Sequence, residues 1–343
     1  MKAILLFLTW AILLTGCKSG SNPTNRSTNK PADVNFYLQT DKKIDSVLFA
    51  NFTQDREFQF MPYSDTLNIT LNDSINDSYF IKFYTGKDAF MYPMWLDGKN
   101  LIIKGKITDK FRPDTVIGSS LFYHSLDFRK KYKALIENAA SADSINSFLF
   151  SNLQENISSP FSLEISSQLY QRNISNKTVL KKLYDLLADQ PEAIKKSLNN
   201  PYKGIEKVLT VNKIALQNFQ FYNTDDKLTS ISPAKGKKYL LDLWFIECAP
   251  CLADHKIMAG KRELLNSSTV ELIGISIDQD QAEWKNFISQ KKYYWQNLRE
   301  VDDPDKKLRT HLLITAFPTY LLIDGEGNIL QRSNSFAEIE KYL

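Results

Sequence analysis

The chain is poor in cysteine, with only three in 343 residues. A small disulfide-stapled domain spreads an even number of cysteines through its length, so that kind of framework is excluded. Histidine is equally scarce. His124, His255 and His311 lie far apart, and no Cys/His spacing fits a zinc site. An excess of one charge sign is also missing: 43 Lys and Arg are interspersed with 39 Asp and Glu, for a net charge of +4. That balance gives no sign of a nucleic-acid surface. Long apolar runs are absent beyond Ala3–Leu14, so the body of the chain is expected to be water-soluble.

What is present begins at the amino end. Lys2 and the apolar stretch Ala3–Leu14 form a leader too short to act as a stable membrane span. Leu14-Thr15-Gly16-Cys17 closes it and resembles the lipobox of bacterial lipoproteins. The resemblance implies that residues 1–16 are a removed signal peptide and that Cys17 is the lipid-attachment residue. Acyl chains contribute about 0.8 kcal/mol per buried methylene, enough for anchoring. A plain secretory leader containing a cysteine is the alternative. Residues 17–33, rich in Ser, Asn, Thr, Lys and Pro, read as a flexible tether.

At 43% hydrophobic residues, the chain is long enough for two or three cores. Residues 34–117 read as a β-rich domain, an antiparallel sheet with one wet face. Phe58 and Phe60 alternate with Gln59, and Leu67, Ile69 and Leu71 with Asn68 and Thr70. Leu101–Ile103 ends at a Lys104-Gly105 punctuation. Residues 118–207 change to helical spacing, with stripes at Ile145, Phe148, Leu149, Leu153 and at Leu180, Leu183, Tyr184, Leu187. Ser141 or Asp143 caps the first stripe. This segment is expected to be a spacer with a core, packed between two sheets. From 208 to 343, strands at Tyr239–Phe245, Val270–Ile277 and Thr319–Ile323 alternate with helices at Cys251–Leu265, Gln281–Lys291 and Pro304–Leu312. That order implies an α/β sheet covered on both faces.

The remaining cysteines form Cys248-Ala249-Pro250-Cys251, a pair that follows a buried strand and opens a helix. Haem attachment needs a histidine next, and Leu252 stands there. A zinc ribbon needs a second ligand pair, and the chain has none. A dithiol at a helix start suits thiolate chemistry, because backbone N–H groups and the dipole favour the anion of Cys248.

Residues from about 213 to 343 resemble the thioredoxin-fold domain of the TlpA-like disulfide reductase family. The resemblance rests on Asp225-Asp226-Lys227, Ala234–Lys237, Asp242, Trp244, Cys248–Cys251, Gly274–Asp278, Ala316–Thr319 and Asp324–Asn328. The region before it is similar to the one preceding this domain in many bacterial lipoproteins. The resemblance implies an envelope thiol:disulfide oxidoreductase, facing the periplasm and serving processes such as cytochrome c maturation. Its partners would be a disulfide-containing protein substrate, a membrane thiol carrier as electron donor and, through the anchor, the membrane. It implies no cofactor beyond the redox-active disulfide Cys248–Cys251, and no metal.

Residue by residue, the family pattern makes Cys248 the attacking thiol and Cys251 the resolving one. Pro250 sits in the first helical turn, where its missing N–H costs nothing. Trp244 belongs to the active-site strand. Asp242 occupies the place of thioredoxin's buried acid and would take the Cys251 proton; otherwise it faces solvent on an edge strand. Asp254 stands where the family has Glu and either tunes Cys251 or is a first-turn acid. His255 reads as exposed helix decoration. Pro318 would be cis against the dithiol. Phe317, Glu247 and Lys256 depart from the pattern, and none of them removes a reacting group.

Two rival readings differ in class. A peroxiredoxin-like peroxidase needs Pro and Thr before its cysteine, and Leu241–Glu247 contain neither. A lipid-anchored binding protein with a regulatory dithiol would use Phe90, Tyr92 and Trp95, although aromatic runs in strands are more often core.

Overall fold

The computed structural model describes residues 31–52, 58–72, 75–86, 88–197, 200–267 and 270–343. The leader, Cys17, the tether up to residue 30 and the stop signal at Asn199 lie outside the described residues. Among the described residues no helix is long and apolar enough to cross a membrane. The chain divides into two compact units, one running to Asn152 with Ser159–Phe161, the other comprising Leu153–Ser158 and Ser162–Leu343.

In the first unit the strands are β1 (Ala32–Thr40), β2 (Ser46–Asn51), β3 (Phe58–Pro62), β4 (Thr66–Leu71), β5 (Ile75–Thr85), β6 (Asp88–Gly98), β7 (Asn100–Ile107) and β8 (Phe111–Ile117). They form two sheets, ordered β4-β1-β7-β8 and β3-β2-β5-β6, rather than the single one expected. Pairing is antiparallel except between β1 and β7, which run parallel. Strand β1 begins inside the expected tether, because Ala32 is buried and Asp33 accepts a hydrogen bond from Thr70 Oγ1 at 2.8 Å.

Alternation decides which face is dry. On β4 the side chains of Leu67, Ile69 and Leu71 are buried while those between them face water. Both sheets feed one core, in which the Phe36 and Phe49 rings meet at 5.6 Å. Phe60 departs from expectation. It is 59% exposed, and its neighbour Met61 packs on the core instead. Gly105 does not end β7 either: a Cβ there would stand 2.6 Å from the Phe111 ring, so the missing side chain makes room for that ring. The aromatic trio of the binding reading is engaged in packing, with Phe90 and Tyr92 half-buried against the core. Phe90 stacks on Phe83, Tyr92 meets Phe111 edge-on, and Trp95 is buried against Phe161.

Helices α1 (Ser120–Glu137) and α2 (Ala142–Glu155) follow. Ser119 caps α1, and Ser141 Oγ accepts from Ser144 N at the start of α2. Ile145, Leu149 and Leu153 are buried, as their spacing predicts.

The expected helical spacer is not one body. Helices α3 (Ser162–Arg172), α4 (Lys177–Leu187), α5 (Glu192–Lys195) and α6 (Tyr202–Thr210) belong to the second unit. There Lys177 Nζ donates to Asn212 Oδ1 at 2.7 Å. The buried Arg332 lies within electrostatic range of the buried Tyr170 of α3.

The second unit continues with β9 (Phe221–Asn223), β10 (Leu228–Thr229), β11 (Lys238–Trp244), α7 (Ala249–Gly260), α8 (Arg262–Ser267), β12 (Val270–Ser276), α9 (Gln281–Lys291), β13 (Gln296–Glu300), α10 (Leu308–His311), β14 (Thr319–Asp324), β15 (Ile329–Ser333) and α11 (Phe336–Ile339). One seven-stranded sheet results, ordered β10-β9-β13-β12-β11-β14-β15. Strand β11 lies parallel to β12 and antiparallel to β14, so the residues just past its C-terminal end sit at the middle of the sheet. Apolar clusters lie on both of its faces, one through Leu241, Leu243 and Ile275, the other through Leu240, Leu272 and Tyr320. The helix expected over Pro304–Leu312 shrinks to the single turn of α10 after a short 3-10 turn.

Candidate active site

Strand β11 delivers the chain to the dithiol. Leu240, Leu241 and Leu243 anchor it in the core, and Trp244 closes it fully buried. The chain then turns at Phe245–Glu247, and Cys248 caps α7. Cys248 and Cys251 are joined in a disulfide, with Cα atoms 5.3 Å apart. Cys251 N–H donates to Cys248 Sγ at 3.2 Å. Cys248 retains 4% exposure between the exposed Glu247 and Ala249, whereas Cys251 has none. Of the two residues, Cys248 alone keeps any exposure. Pro250 is exposed in the first turn of α7.

Both sulfurs lie in an apolar cluster with Trp244, Trp284 and Ile288, rimmed by Phe245, Ile246, Leu252 and Phe317. The Phe317–Pro318 bond is cis. Phe317 meets Phe245 edge-on at 5.6 Å, and Pro318 O accepts from Asn334 Nδ2 at 2.7 Å.

Asp242 is fully buried, not on a wet edge, because β11 is a central strand. Burial pushes its carboxyl above the ordinary range, while the hydrogen bond to His255 opposes that rise. Asp254 accepts from Phe336 N at 2.9 Å and from Tyr320 OH at 3.1 Å, fastening α7 to α11 and β14.

His255 overturns its expected exposure. The ring is 1% exposed, with Nε2 2.7 Å from Asp242 Oδ2 and Nδ1 3.0 Å from Tyr293 OH. Cys251, His255 and Met258 are the buried residues of α7, at i, i+4 and i+7. That spacing from the certain inward residue Cys251 was the available signal. Asp278 is the other residue of the site to which no role was assigned. Its carboxylate accepts from Ile246 N at 3.1 and 3.2 Å and from Ser276 Oγ at 2.6 Å, fixing the loop ahead of Cys248. Among the described residues no group of three or more His, Cys, Asp or Glu is placed to hold a metal.

The raised Asp242 carboxyl has a measurable consequence. Between the unfolded value and the higher folded one, the native state binds more protons, so stability falls as pH rises through that window. Asp242→Asn removes this slope. Unfolding midpoints measured across a pH series should therefore fall less steeply above pH 4 in the variant than in the wild type. Parallel curves would show that Asp242 titrates normally.

A central strand, a dithiol at the following helix start and a cis proline preceded by Phe317 of the same apolar cluster define a thioredoxin-like domain, and residues 236–329 match the family model described as thioredoxin-like. The resemblance read from the residues is met among relatives named thiol-disulfide oxidoreductase ResA. That of Bacillus subtilis is 28% identical over 114 residues, 33% of this chain and 62% of the relative. That of Bacillus cereus is 26% identical over 150 residues, 43% of this chain and 84% of the relative. The chain thus spans less than two thirds of the Bacillus subtilis protein. Similar solved structures include the thioredoxin domain of a Bacteroides vulgatus thiol-disulfide oxidoreductase, 22% identical, covering 39% of this chain and 99% of that one, with a TM-score of 0.34. StoA of Bacillus subtilis is 22% identical and covers 36% and 94%, with a TM-score of 0.31.

Proposed function

We propose that this protein is a thiol:disulfide oxidoreductase of the bacterial cell envelope, reducing protein disulfides through Cys248 and Cys251. The observation that carries the reading is the pair at the first turn of α7, with the Cys251 amide directed at Cys248 Sγ. In the dithiol form that N–H and the helix dipole stabilise the Cys248 thiolate. The thiolate attacks one sulfur of a substrate disulfide. A mixed disulfide forms, the substrate bond breaks, and the departing sulfur leaves as a thiolate that takes up a proton. Cys251 then loses its proton toward Asp242 and attacks Cys248 Sγ, closing the internal disulfide and releasing the second substrate thiolate. Two electrons pass to the substrate, and a membrane thiol carrier restores the dithiol.

The other site residues act by position. Trp244 floors the pair, Pro250 starts α7, Asp254 holds that helix, and Pro318 keeps a backbone edge open beside Phe317 for the substrate. Lipid on Cys17 would hold the domain at the membrane, facing the periplasm. The test is insulin reduction by the purified protein with a chemical reductant as electron source. Cys248→Ser is expected to bring turnover down to the rate of the reductant alone. Equal turnover in both forms would refute the reading.

A further inference from the structure

Glu247 stands directly before Cys248 and is exposed, and Asp278 is half-buried beside the same turn. The two carboxylates lie within electrostatic range of each other. Asp278 reaches the turn from just past the end of β12. Ile246 N–H donates to its Oδ1 and Oδ2 at 3.1 and 3.2 Å, and Ser276 Oγ donates to Oδ2 at 2.6 Å. Ser276 Oγ in turn accepts from Asp278 N at 3.0 Å, which leaves its one proton for the carboxylate. These partners are all donors, the bonding that suits the ionised form. Burial pushes the carboxyl above the ordinary range and Glu247 adds to the rise, while Ser276, Ile246 and Arg299 oppose it.

Arg299 does not meet this carboxylate directly. Its Nη1 donates to the carbonyls of Asp278 and Gln279 at 3.1 and 3.3 Å and to Asp302 Oδ1 at 3.5 Å. Its Nη2 donates to Gln281 Oε1 at 3.3 Å, and the guanidinium lies over the Tyr222 ring at 5.1 Å. Arg299 thereby fixes the backbone that carries Asp278, and the carboxylate is left to the turn.

We propose that Asp278 is a positioning residue of the dithiol, holding the Phe245–Glu247 turn by the Ile246 amide and, together with Glu247, restraining ionisation of the Cys248 thiol. The inference rests on the reductase reading and deepens it by assigning the residues that regulate the attacking sulfur. Ile246 is two residues before Cys248, so their Cα atoms are at most about 7.6 Å apart. The bond from Cys248 N–H to Phe245 O, at 3.1 Å, keeps the turn tight.

The other elements packed on the pair bring little charge to it. Helix α9 contributes Trp284, Phe287 and Ile288, and the cis-proline loop contributes Phe317. Tyr293 is titratable, but burial, with Asp242 adding to it, pushes its phenol up to about 12 and keeps it neutral. Within α7, Asp254 is held by Phe336 N and His255 by Asp242, while Lys256 is exposed two turns beyond Cys248. The helix start favours the thiolate and the two carboxylates oppose it. A thiolate restrained in this way is the more basic and hence the stronger nucleophile once formed.

The test is alkylation of the reduced full chain by iodoacetamide from pH 5 to 10, with modification of Cys248 followed by peptide mass. Asp278→Asn removes the charge and keeps an acceptor for the Ile246 amide. Its Cys248 midpoint is expected to fall by about half a pH unit, roughly a threefold change in the acid dissociation constant. Glu247→Gln should move the midpoint the same way by about twofold, less because an exposed charge is screened. An unmoved midpoint in Asp278→Asn overturns the inference, since a residue that only braces the turn is replaced by asparagine without effect on the thiol. Should that variant fail to fold, Glu247→Gln, altered at the surface, decides in its place, and an unmoved midpoint there overturns the inference. Absence of Cys248-dependent insulin turnover in the wild type sinks the reductase reading instead and leaves the alkylation profiles readable.

Discussion

Cys251→Ser is expected to arrest the protein as covalent adducts with its substrates. Cys248 keeps its place at the helix start, the less buried of the two cysteines, so attack on a disulfide proceeds. Resolution needs a second sulfur one helical turn away, and serine cannot supply it at neutral pH. Turnover should drop to background while mixed disulfides accumulate and dissolve on adding dithiothreitol. Intact-mass measurement after mixing with a disulfide-bonded protein reads both effects. Cys248→Ser should form no adduct, because Cys251 is fully buried and cannot stand in for its partner. Adducts from that variant would place the attacking sulfur elsewhere.

Trp244→Ala carries the second large effect. The indole is fully buried, touches the His255 ring and belongs to the apolar cluster around both cysteines. Emptying such a site costs about 3–5 kcal/mol in transfer and cavity terms. Against a total stability of roughly 5–15 kcal/mol, that removes a large share. Chemical denaturation should show a lower midpoint for the second unit. Turnover should fall as well, since the cavity opens beneath the dithiol. A midpoint within experimental error of the wild type would mean that the surrounding residues collapse into the space.

Strand β11 and the cysteine pair were legible because each has a local signature: a continuous apolar run, then two thiols at helical spacing. Strand β13 was not. Its sequence, Gln296-Asn297-Leu298-Arg299-Glu300, looks like a surface loop, yet Asn297, Arg299 and Glu300 are all buried. One terminal nitrogen of Arg299 donates to the carbonyls of Asp278 and Gln279, and Arg309 pairs with Glu300. Such partners are remote in sequence, and no window of residues announces them. The parallel pairing of β1 with β7 was hidden for the same reason. His255 was a different failure, since its spacing from Cys251 pointed inward and only its polarity argued outward.

The grouping of α3–α6 with the redox sheet bears on how this protein should be cut. A fragment starting at 208 would keep every reacting atom but discard Tyr170 and Lys177, leaving the Arg332 guanidinium without its phenol neighbour and Asn212 without its ammonium donor. Recombinant work on the catalytic half is better begun near residue 160, which keeps both of these contacts.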